Sequence, residues 1–269
     1  MKLNGRTCLV TGAASGIGRA TALALAERGN RLVLTDVNPV DGIAPDAVVH
    51  AASLDITDRD AVQQLAADAP PVDVVMNVAG ISTWGAVDRL SHEDWRAMIE
   101  VNLMGPINVI EAFIPPLIRA GGGGHLVNVS SAAGYFGLPW HAAYSASKFG
   151  LRGVSEVLRF DLRPHKIGVT LVCPGAVDTG LVQTLNIAGV DREHPALKKM
   201  TQRFQGHAKS PEHVARCIIA GVERNRYLVV TSPDIRLGVL AQRYFPPGYE
   251  LAMRLANRQL VRVAGKALL

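Results

Sequence analysis

The sequence has few cysteines, no recognisable metal-ligand spacing and no long apolar run, and each of these absences excludes a class of protein. Cys8, Cys173 and Cys217 form no Cys-x-x-Cys pair, so we expect reduced packing cysteines and no disulfide framework. The eight histidines include no His-Glu-x-x-His motif, and we predict no metal site. No run approaches the roughly 18 apolar residues that cross a bilayer, and no signal-peptide block precedes the first strand. We therefore expect a cytoplasmic protein.

Excess charge is absent from most of the chain and is concentrated at its end. Residues 1–235 carry 22 basic and 22 acidic side chains, whereas residues 236–269 carry six basic side chains and one acidic side chain, Glu250. The net charge of +5 therefore lies entirely in the last segment. This distribution argues against a nucleic-acid-binding body. It divides the chain into a domain at residues 1–235 and a basic extension at residues 236–269.

Short apolar runs alternate with helical patterns along the first 235 residues, a length that suits one large α/β domain. The runs are almost wholly apolar, and strands of that kind alternating with helices indicate a parallel sheet covered on both faces. We predict seven strands, at Thr7–Thr11, Arg31–Thr35, Ala47–His50, Asp73–Asn77, His125–Ser130, Val169–Cys173 and Tyr227–Thr231.

Local signals mark helix starts and one irregular connection. Ser91 with Asp94 three residues later is a capping-box pattern, and Ser210 before Pro211 combines an N-cap with a first-turn proline. Between Asp36 and Asp55 the chain is broken by two prolines and a glycine. We expect an irregular connection there in place of a full helix.

A glycine-rich segment follows the first predicted strand and opens a helix that we expect to run to about Arg28. Glycines allow the backbone to approach a pyrophosphate, and the helix N-terminus offers unpaired N–H groups and the positive end of its dipole. In this strand–turn–helix context the segment predicts a dinucleotide site in a doubly wound, Rossmann-type fold. Its residues are Thr11-Gly12-Ala13-Ala14-Ser15-Gly16-Ile17-Gly18.

Asp36 ends the second strand, eighteen residues after Gly18. A carboxylate there can accept hydrogen bonds from the adenosine ribose hydroxyls and would repel a 2′-phosphate. No basic residue directly follows Asp36 or precedes Gly16, although Arg19 or Arg31 could approach the phosphate. We predict NAD as the cofactor, with NADP as the less favoured alternative.

The sequence Tyr144-Ser-Ala-Ser-Lys148 places a lysine four residues after a tyrosine, on the same face of a helix. A tyrosine hydroxyl normally keeps its proton until about pH 10. A neighbouring ammonium group favours the phenolate, so that the tyrosine can exchange a proton with an alcohol or ketone near neutral pH. The pair alone is common. Its significance depends on the other motifs, among them Ser131, thirteen residues upstream.

Together these motifs resemble the short-chain dehydrogenase/reductase family over about residues 3–235. The resemblance implies a nicotinamide cofactor and a homodimer or homotetramer built on the helices around Ser91–Leu117 and Ala142–Leu162. Val78 departs from the family pattern, which has a second asparagine there; we expect a mild effect because this segment works largely through its backbone. Besides the glycine segment, Asp36, Tyr144 and Lys148, the implied cofactor contacts are Asp55, Ile56, Asn77, Ala79, Gly80, Pro174, Gly175, Val177 and Thr179.

The resemblance also implies a division of roles among four catalytic residues. Tyr144 would be the general base in alcohol oxidation and the general acid in ketone reduction. Ser131 would hydrogen-bond the substrate oxygen, with Ser130 as the neighbouring alternative. Lys148 would bind the nicotinamide ribose and lower the pKa of Tyr144. Asn102 would hold a water molecule that connects Lys148 to solvent.

The substrate side is predicted from apolar residues expected on loops at the carboxyl ends of the strands. In the family the segment after Thr179 covers the substrate, which places a lid at residues 181–206. The aromatic side chains favour a bulky, apolar secondary alcohol or ketone, although core packing explains any single one equally well. We predict substrate contacts for Ser131, Tyr144, Trp84, Phe136, Trp140, Leu181 and Leu185.

The basic extension contains one regular pattern. Arg254, Arg258, Arg262 and Lys266 recur every four residues and form a single stripe if the segment is helical. Such a helix, with its apolar flank, can lie on an anionic membrane surface. Packing on a neighbouring subunit or over the mouth of the active site is the favoured alternative.

Three functions are compatible with these motifs. The favoured one is NAD-dependent hydride transfer to or from a lipophilic alcohol or ketone. An NADPH-dependent 3-oxoacyl reductase is the second, and Asp36 disfavours it. The third is a nucleotide-sensing protein without turnover, which would have no need of the Tyr144 hydroxyl.

Overall fold

The computed structural model describes residues 1–180, 186–190, 194, 195, 198, 202, 206 and 208–267. Seven strands of this part form one parallel sheet, and two short strands form a separate parallel pair. The strands are β1 (Thr7–Thr11), β2 (Arg31–Asp36), β3 (Val48–Ser53), β4 (Val74–Asn77), β5 (Thr83–Trp84), β6 (Gly124–Val129), β7 (Ile167–Cys173), β8 (Asn186–Ile187) and β9 (Leu228–Val230). The sheet order is β3-β2-β1-β4-β6-β7-β9, with β5 paired to β8. The predicted doubly wound parallel sheet is confirmed.

Helices cover both faces of this sheet. In the described residues they are α1 (Gly16–Ala26), α2 (Arg59–Asp68), α3 (His92–Ile99), α4 (Gly105–Ala120), α5 (Ala142–Asp161), α6 (Pro211–Glu223), α7 (Pro233–Tyr244) and α8 (Pro246–Ala267). Successive strand residues point to opposite faces, so Cys8 and Val10 of β1 pack with α1 and α6, while Leu9 packs with α2 and α4. Each fully buried leucine of this kind contributes about 1.5–3 kcal/mol to folding.

Both predicted helix caps are present. The Ser91 hydroxyl accepts the N–H of Asp94 at 3.0 Å, and the Asp94 carboxylate accepts the N–H of Ser91 at 2.9 Å, which completes the capping box at the start of α3. Ser210 accepts the N–H of His213 at 3.2 Å before the first-turn Pro211 of α6.

Most predicted strands differ from the observed ones by one or two residues at an end, and larger differences include β3 and α2. Strand β3 extends to Ser53, beyond the predicted His50, because its pairing with β2 continues to Asp36. Helix α2 was not predicted; it begins after Asp58, whose carboxylate caps it by accepting the N–H of Ala61 at 3.0 Å. The connection between β2 and β3 contains only the short 3₁₀ turn Pro45–Ala47, as predicted.

One helical stretch corrects the expectation that no apolar run is long enough to span a membrane. His92–Ala120, which joins α3 to α4, has sufficient length and hydropathy. Half of its most apolar window is buried, and Val109, Phe113 and Leu117 pack in the core beneath the sheet. This packing identifies it as a core helix.

The basic extension continues directly from the sheet domain. Helix α7 begins at Pro233, before the predicted boundary at residue 236. Ile235 is buried in a cluster with Ala132 and Phe136, and Val239 packs against the same cluster. The helical pair α7 and α8, called here the C-terminal hairpin (residues 233–267), therefore rests on the loop that follows β6.

Candidate active site

The predicted site residues lie around the carboxyl ends of β1, β4 and β6. Strands β1 and β4 are neighbours, but the chain runs from β1 outward through β2 and β3 before it returns to β4. Such a reversal leaves a crevice outside the strand ends, where doubly wound sheets bind ligands. The glycine segment follows β1 at this edge, and Asn77–Gly80 follows β4.

The glycine segment is shaped for close approach of a ligand. Gly12 has φ +70°, and a Cβ atom there would lie 2.8 Å from the Ala79 Cα; a Cβ at Gly18 would overlap the Gly12 carbonyl oxygen. At the start of α1, Ser15 makes no side-chain capping bond and the first turn has no acidic residue. The first N–H groups of a helix have no partner within it. The segment therefore fits the pyrophosphate of a dinucleotide.

Asp36 stands beside this turn. Its carboxylate accepts the N–H of Ala14 at 3.1 Å and the N–H of Asn38 at 2.9 Å. Arg31 lies at the other end of β2 and bonds to Thr7, about 17 Å away at the rise of a strand, so it does not approach. The Arg19 guanidinium lies against Gly42, in the connection that follows Asp36.

The other cofactor segments are held by backbone contacts. The Thr11 hydroxyl accepts the N–H groups of Val78 and Ala79 at 3.0 and 3.1 Å, which ties the segment after β4 to β1. This contact through the backbone agrees with the mild effect expected for Val78. Asn77 is buried and donates to the Asn128 side chain at 2.9 Å.

The remaining predicted cofactor residues surround the same edge. Ile56 is buried, and the exposed Asp55 carboxylate accepts the N–H of Thr57 at 2.9 Å. The Pro174 carbonyl accepts the N–H of Ala132 at 2.8 Å. The remaining residues lie at three places: Thr179 next to Gly16, Gly175 beneath Ile235, and Val177 in a bridge with Lys209.

Asn102 occupies a π-helical turn, Glu100–Met104, between α3 and α4. Turns of this kind are rare in proteins, and many of those that occur lie at functional sites. Its buried amide accepts the N–H of Ile81 and donates to the carbonyl of Ile81, both at 2.9 Å, and donates to Ser147 at 3.3 Å. Asn102 therefore fixes the backbone that leaves β4 next to the helix that carries Tyr144 and Lys148.

The two neighbouring serines have different partners. Ser130 is buried and its hydroxyl donates to the backbone carbonyl of Lys148 at 3.0 Å. The Ser131 hydroxyl accepts the N–H of Ala133 at 3.2 Å and lies close enough to the Tyr144 hydroxyl to lower the pKa of that tyrosine. The arrangement therefore gives Ser130 a packing role and pairs Ser131 with the tyrosine.

Tyr144 is buried, and its ring packs with Met98, Ala133 and Ala143. Burial raises the pKa of Tyr144 above its usual value, and the hydrogen bond from Ser131 only partly opposes this rise. The sequence-based expectation of a lowered pKa is therefore not met in this structure, because desolvation of the phenolate has the largest effect on this pKa.

Lys148 is also buried, with 4% of its surface exposed. Its Nζ donates to the Val129 carbonyl at 3.1 Å and lies 5.8 Å from the centre of the Tyr144 ring. Burial lowers the pKa of Lys148 to about 8. A Cβ at Gly80 would lie 3.3 Å from Nζ and 2.8 Å from the Asn102 amide oxygen. The glycine thus leaves room beside the ammonium group, as the predicted ribose contact requires.

His141 is a site residue that the sequence analysis missed. It lies one helical turn before Tyr144, with 4.1 Å between its ring centre and that of Trp84, and 6.2 Å to that of Tyr144. Its Nδ1 donates to the Pro139 carbonyl at 2.7 Å, and burial lowers the pKa of His141 to about 4. The imidazole is therefore neutral at physiological pH. The sequence could have indicated this position, because His141 stands three residues before Tyr144, about one helical turn away.

The predicted substrate residues fall into three groups. Trp84 contacts His141 near Tyr144. Trp140 has φ +66°, a conformation that is uncommon outside glycine, and its carbonyl accepts the N–H of Gly85 at 2.8 Å. Phe136 packs beneath the C-terminal hairpin, against Ile235. Leu181 and Leu185, with most of the predicted lid, lie outside the described residues.

Comparison with known proteins identifies the family. A family model described as short chain dehydrogenase matches residues 6–188. The chain belongs to this family. A 3-oxoacyl-acyl-carrier-protein reductase, FabG of Thermotoga maritima, is 34% identical over 81% of this chain and 91% of its own. SadH of Mycobacterium tuberculosis, named only as a provisional oxidoreductase, is 34% identical over 91% of this chain and 93% of its own.

Solved structures of short-chain dehydrogenases share the fold. A member from Burkholderia phymatum, in complex with NAD, superposes with a TM-score of 0.80 and 28% identity, covering 94% of this chain and 96% of that one. A member from Burkholderia cenocepacia, in complex with NADP, gives a TM-score of 0.80 at 24% identity, covering 94% and 99%. The chain is therefore an NAD(P)-dependent dehydrogenase/reductase.

Proposed function

We propose that this short-chain dehydrogenase transfers a hydride between NAD and a lipophilic secondary alcohol or ketone. The observation that carries the proposal is the convergence of Ser131, Tyr144 and Lys148 beside the glycine segment. The complete set also argues against a nucleotide sensor, because a binding protein has no use for a buried tyrosine hydroxyl paired with a serine.

In the proposed mechanism, the cofactor supplies hydride chemistry when bound, and the protein manages the proton. Ser131 and Tyr144 both hydrogen-bond the substrate oxygen and orient the reacting carbon. Tyr144 donates its proton to that oxygen in ketone reduction and accepts it in alcohol oxidation. Lys148 binds the nicotinamide ribose and favours the anionic form of Tyr144. The neutral His141 and the Trp84 ring form an apolar wall near the tyrosine.

The reaction class is tested by screening secondary alcohols with NAD and with NADP, and ketones with NADH and with NADPH, at the nicotinamide absorbance band. We expect turnover of apolar substrates, with NAD preferred. Absence of turnover with every pair of substrate and cofactor would contradict the proposed function.

NAD preference rests on Asp36, and replacing it with asparagine should change the cofactor preference. Asp36→Asn keeps an oxygen that can accept the N–H of Ala14 but removes the charge that repels a 2′-phosphate, and Arg19 remains nearby. We expect the ratio of kcat/KM for NADP to that for NAD to rise roughly 10²-fold. Asp55→Asn is the control, and it should leave this ratio unchanged. An unchanged ratio in Asp36→Asn would show that another residue selects the cofactor.

A 3-oxoacyl reductase is the second candidate function, because FabG of Thermotoga maritima carries that name. A relative from Bacteroides thetaiotaomicron, 35% identical over 67% of both chains, is named 3-ketodihydrosphingosine reductase. Both names specify a 3-keto group. Reduction of a 3-oxoacyl thioester with NADPH in preference to NADH would favour this candidate over the first.

A homo-oligomer is also proposed, with α5 in the interface. Phe149, Val157 and Phe160 are 39%, 58% and 56% exposed on one face of this helix, and the space above Gly153 between them is open. Val157→Glu should lower the mass measured by analytical ultracentrifugation, because it places charges in the apolar interface. Val87→Glu, at another exposed site, is the control. An unchanged mass for Val157→Glu would exclude α5 from the interface.

A cytoplasmic location is proposed as well. Cys8, Cys173 and Cys217 are free thiols, which suits a reducing compartment.

A further inference from the structure

Helix α7 has two apolar faces, of which only one is covered. Ile235 and Val239 pack against the loop after β6. On the opposite side, Leu237, Leu240 and Tyr244 recur at helical spacing and are 68%, 46% and 71% exposed. Contiguous apolar side chains exposed in this way mark an interaction surface.

Helix α8 packs against α7 and also carries exposed apolar side chains. The side chains at Tyr249, Met253, Ala256 and Leu260 are partly buried and form its inner face. Its outer side exposes Leu251 and Leu255, which are 59% and 54% exposed. The exposed apolar residues of the two helices, with Phe245 at the turn between them, form what we call the outer face of the hairpin.

Exposed arginines accompany these apolar residues on both helices of the hairpin. Arg236, Arg243, Arg254, Arg258 and Arg262 are all exposed. Among the described residues, only Arg254 of these five forms an ion pair, with Glu250. The excess charge of the whole chain is therefore placed around an apolar surface and is largely uncompensated.

This combination favours an anionic lipid surface over a second copy of the chain. A symmetric contact would bring the same face of both copies together and would place like-charged arginines opposite one another, which is unfavourable. An anionic bilayer accommodates both the apolar side chains and the arginines. Leucine and aromatic side chains enter the interface, while arginines contact the headgroups.

The inner face of the hairpin lies against the loop that follows β6, called here the catalytic loop. The Tyr249 hydroxyl donates to the Gly137 carbonyl at 3.2 Å, and Ile235 packs on Phe136. The loop that they contact begins at Ser131. A membrane on the outer face would therefore lie one helix thickness from the loop of the substrate anchor.

We propose that the outer face of the C-terminal hairpin docks on anionic phospholipid membranes, so that the active site takes its apolar substrate from the lipid. The docking is inferred from the hairpin residues alone. The uptake of substrate from the lipid, called here the substrate route, rests on the proposed function.

The docking is tested by co-sedimenting the full-length protein with vesicles of phosphatidylcholine, with and without phosphatidylglycerol. We expect binding only to the mixed vesicles, with loss of binding at high salt. Arg243→Gln/Arg258→Gln/Arg262→Gln should reduce partitioning by about 10²-fold, and Leu237→Gln/Tyr244→Gln should also reduce it. Arg6→Gln/Arg28→Gln/Arg59→Gln removes as many charges elsewhere and should bind like the wild type.

Several outcomes would overturn the docking proposal. These are equal binding to both vesicle types, no binding to either, or equal losses in the hairpin and control arginine variants. A change of sedimentation coefficient in Leu237→Gln/Tyr244→Gln without a loss of vesicle binding would instead identify a second copy as the occupant. Thermal unfolding of every variant confirms that the comparison is between folded proteins.

Activity measurements separate the substrate route from the proposed function. The hairpin variants should oxidise a water-soluble secondary alcohol as the wild type does, and should lose turnover only with an alcohol dissolved in mixed vesicles. Equal loss with both alcohols would overturn the substrate route. Vesicle binding by a protein that oxidises or reduces nothing would overturn the proposed function and leave the docking intact.

Discussion

Replacing Tyr144 with phenylalanine is expected to lower kcat about 10²–10⁴-fold, the usual contribution of a positioned general acid or base. The change removes only the hydroxyl next to Ser131 and keeps the ring packed with Met98, Ala133 and Ala143. One buried hydrogen bond is worth about 1 kcal/mol, so the fold should persist. Steady-state assays in both directions measure the effect.

The variant should still bind NAD, because the proposed pyrophosphate and adenosine contacts lie in other segments. Binding of the reduced cofactor NADH, followed by the fluorescence of its dihydronicotinamide ring, checks this. Tyr135→Phe is the matched control, since Tyr135 lies on the loop that begins at Ser131 and contacts Arg152; its turnover should match the wild type. Retained turnover in Tyr144→Phe would contradict the assignment of Tyr144 as the proton-transfer residue.

The raised pKa of Tyr144 also predicts the pH dependence of the wild type. Because burial favours the protonated phenol, the base form is scarce at neutral pH. We expect the rate of alcohol oxidation to rise with pH and the rate of ketone reduction to fall over the same range. Tyr144→Phe should abolish both trends.

The order of elements was predictable from the sequence because each strand of a covered parallel sheet reads as an apolar run. Glycine positions were equally informative, since Gly12 and Gly18 sit where a Cβ atom would meet backbone. Short amphipathic segments gave weaker signals. Helix α2 went unpredicted because its apolar face consists of little more than Val62 and Leu65.

Other properties of the site depend on tertiary packing and were not readable from sequence spacing. The buried position of His141 arises from Trp84 on a distant strand. The π-helical turn at Asn102 is visible only in the backbone. The shift in the pKa of Tyr144 reverses the simple expectation from its pairing with Lys148, because burial is set by the whole fold. Helical patterning predicted the basic stripe of the hairpin but not its contact with the catalytic loop.

Replacing Lys148 with methionine is expected to lower activity about 10²–10³-fold while making the protein more stable near neutral pH. Lys148 is 4% exposed; among the described residues no carboxylate contributes to its pKa, and Nζ has one hydrogen bond, to Val129. A buried ammonium group without a counter-charge opposes folding. Methionine fills similar space without that penalty.

The sign of this effect follows from the pKa of Lys148, which burial lowers from 10.5 to about 8. Between these two pH values the unfolded chain binds more protons than the native protein, so stability rises with pH. Over this pH range, deprotonation of Lys148 raises the free energy of unfolding by roughly 3 kcal/mol. Lys148→Met should therefore exceed the wild type in denaturant unfolding at pH 7, and the difference should shrink as the pH passes 8 and approaches 10.5. Lys2→Met, at an exposed site, should show neither effect, whereas a destabilised but active Lys148→Met would show that the ammonium group is compensated in the native protein and dispensable for turnover.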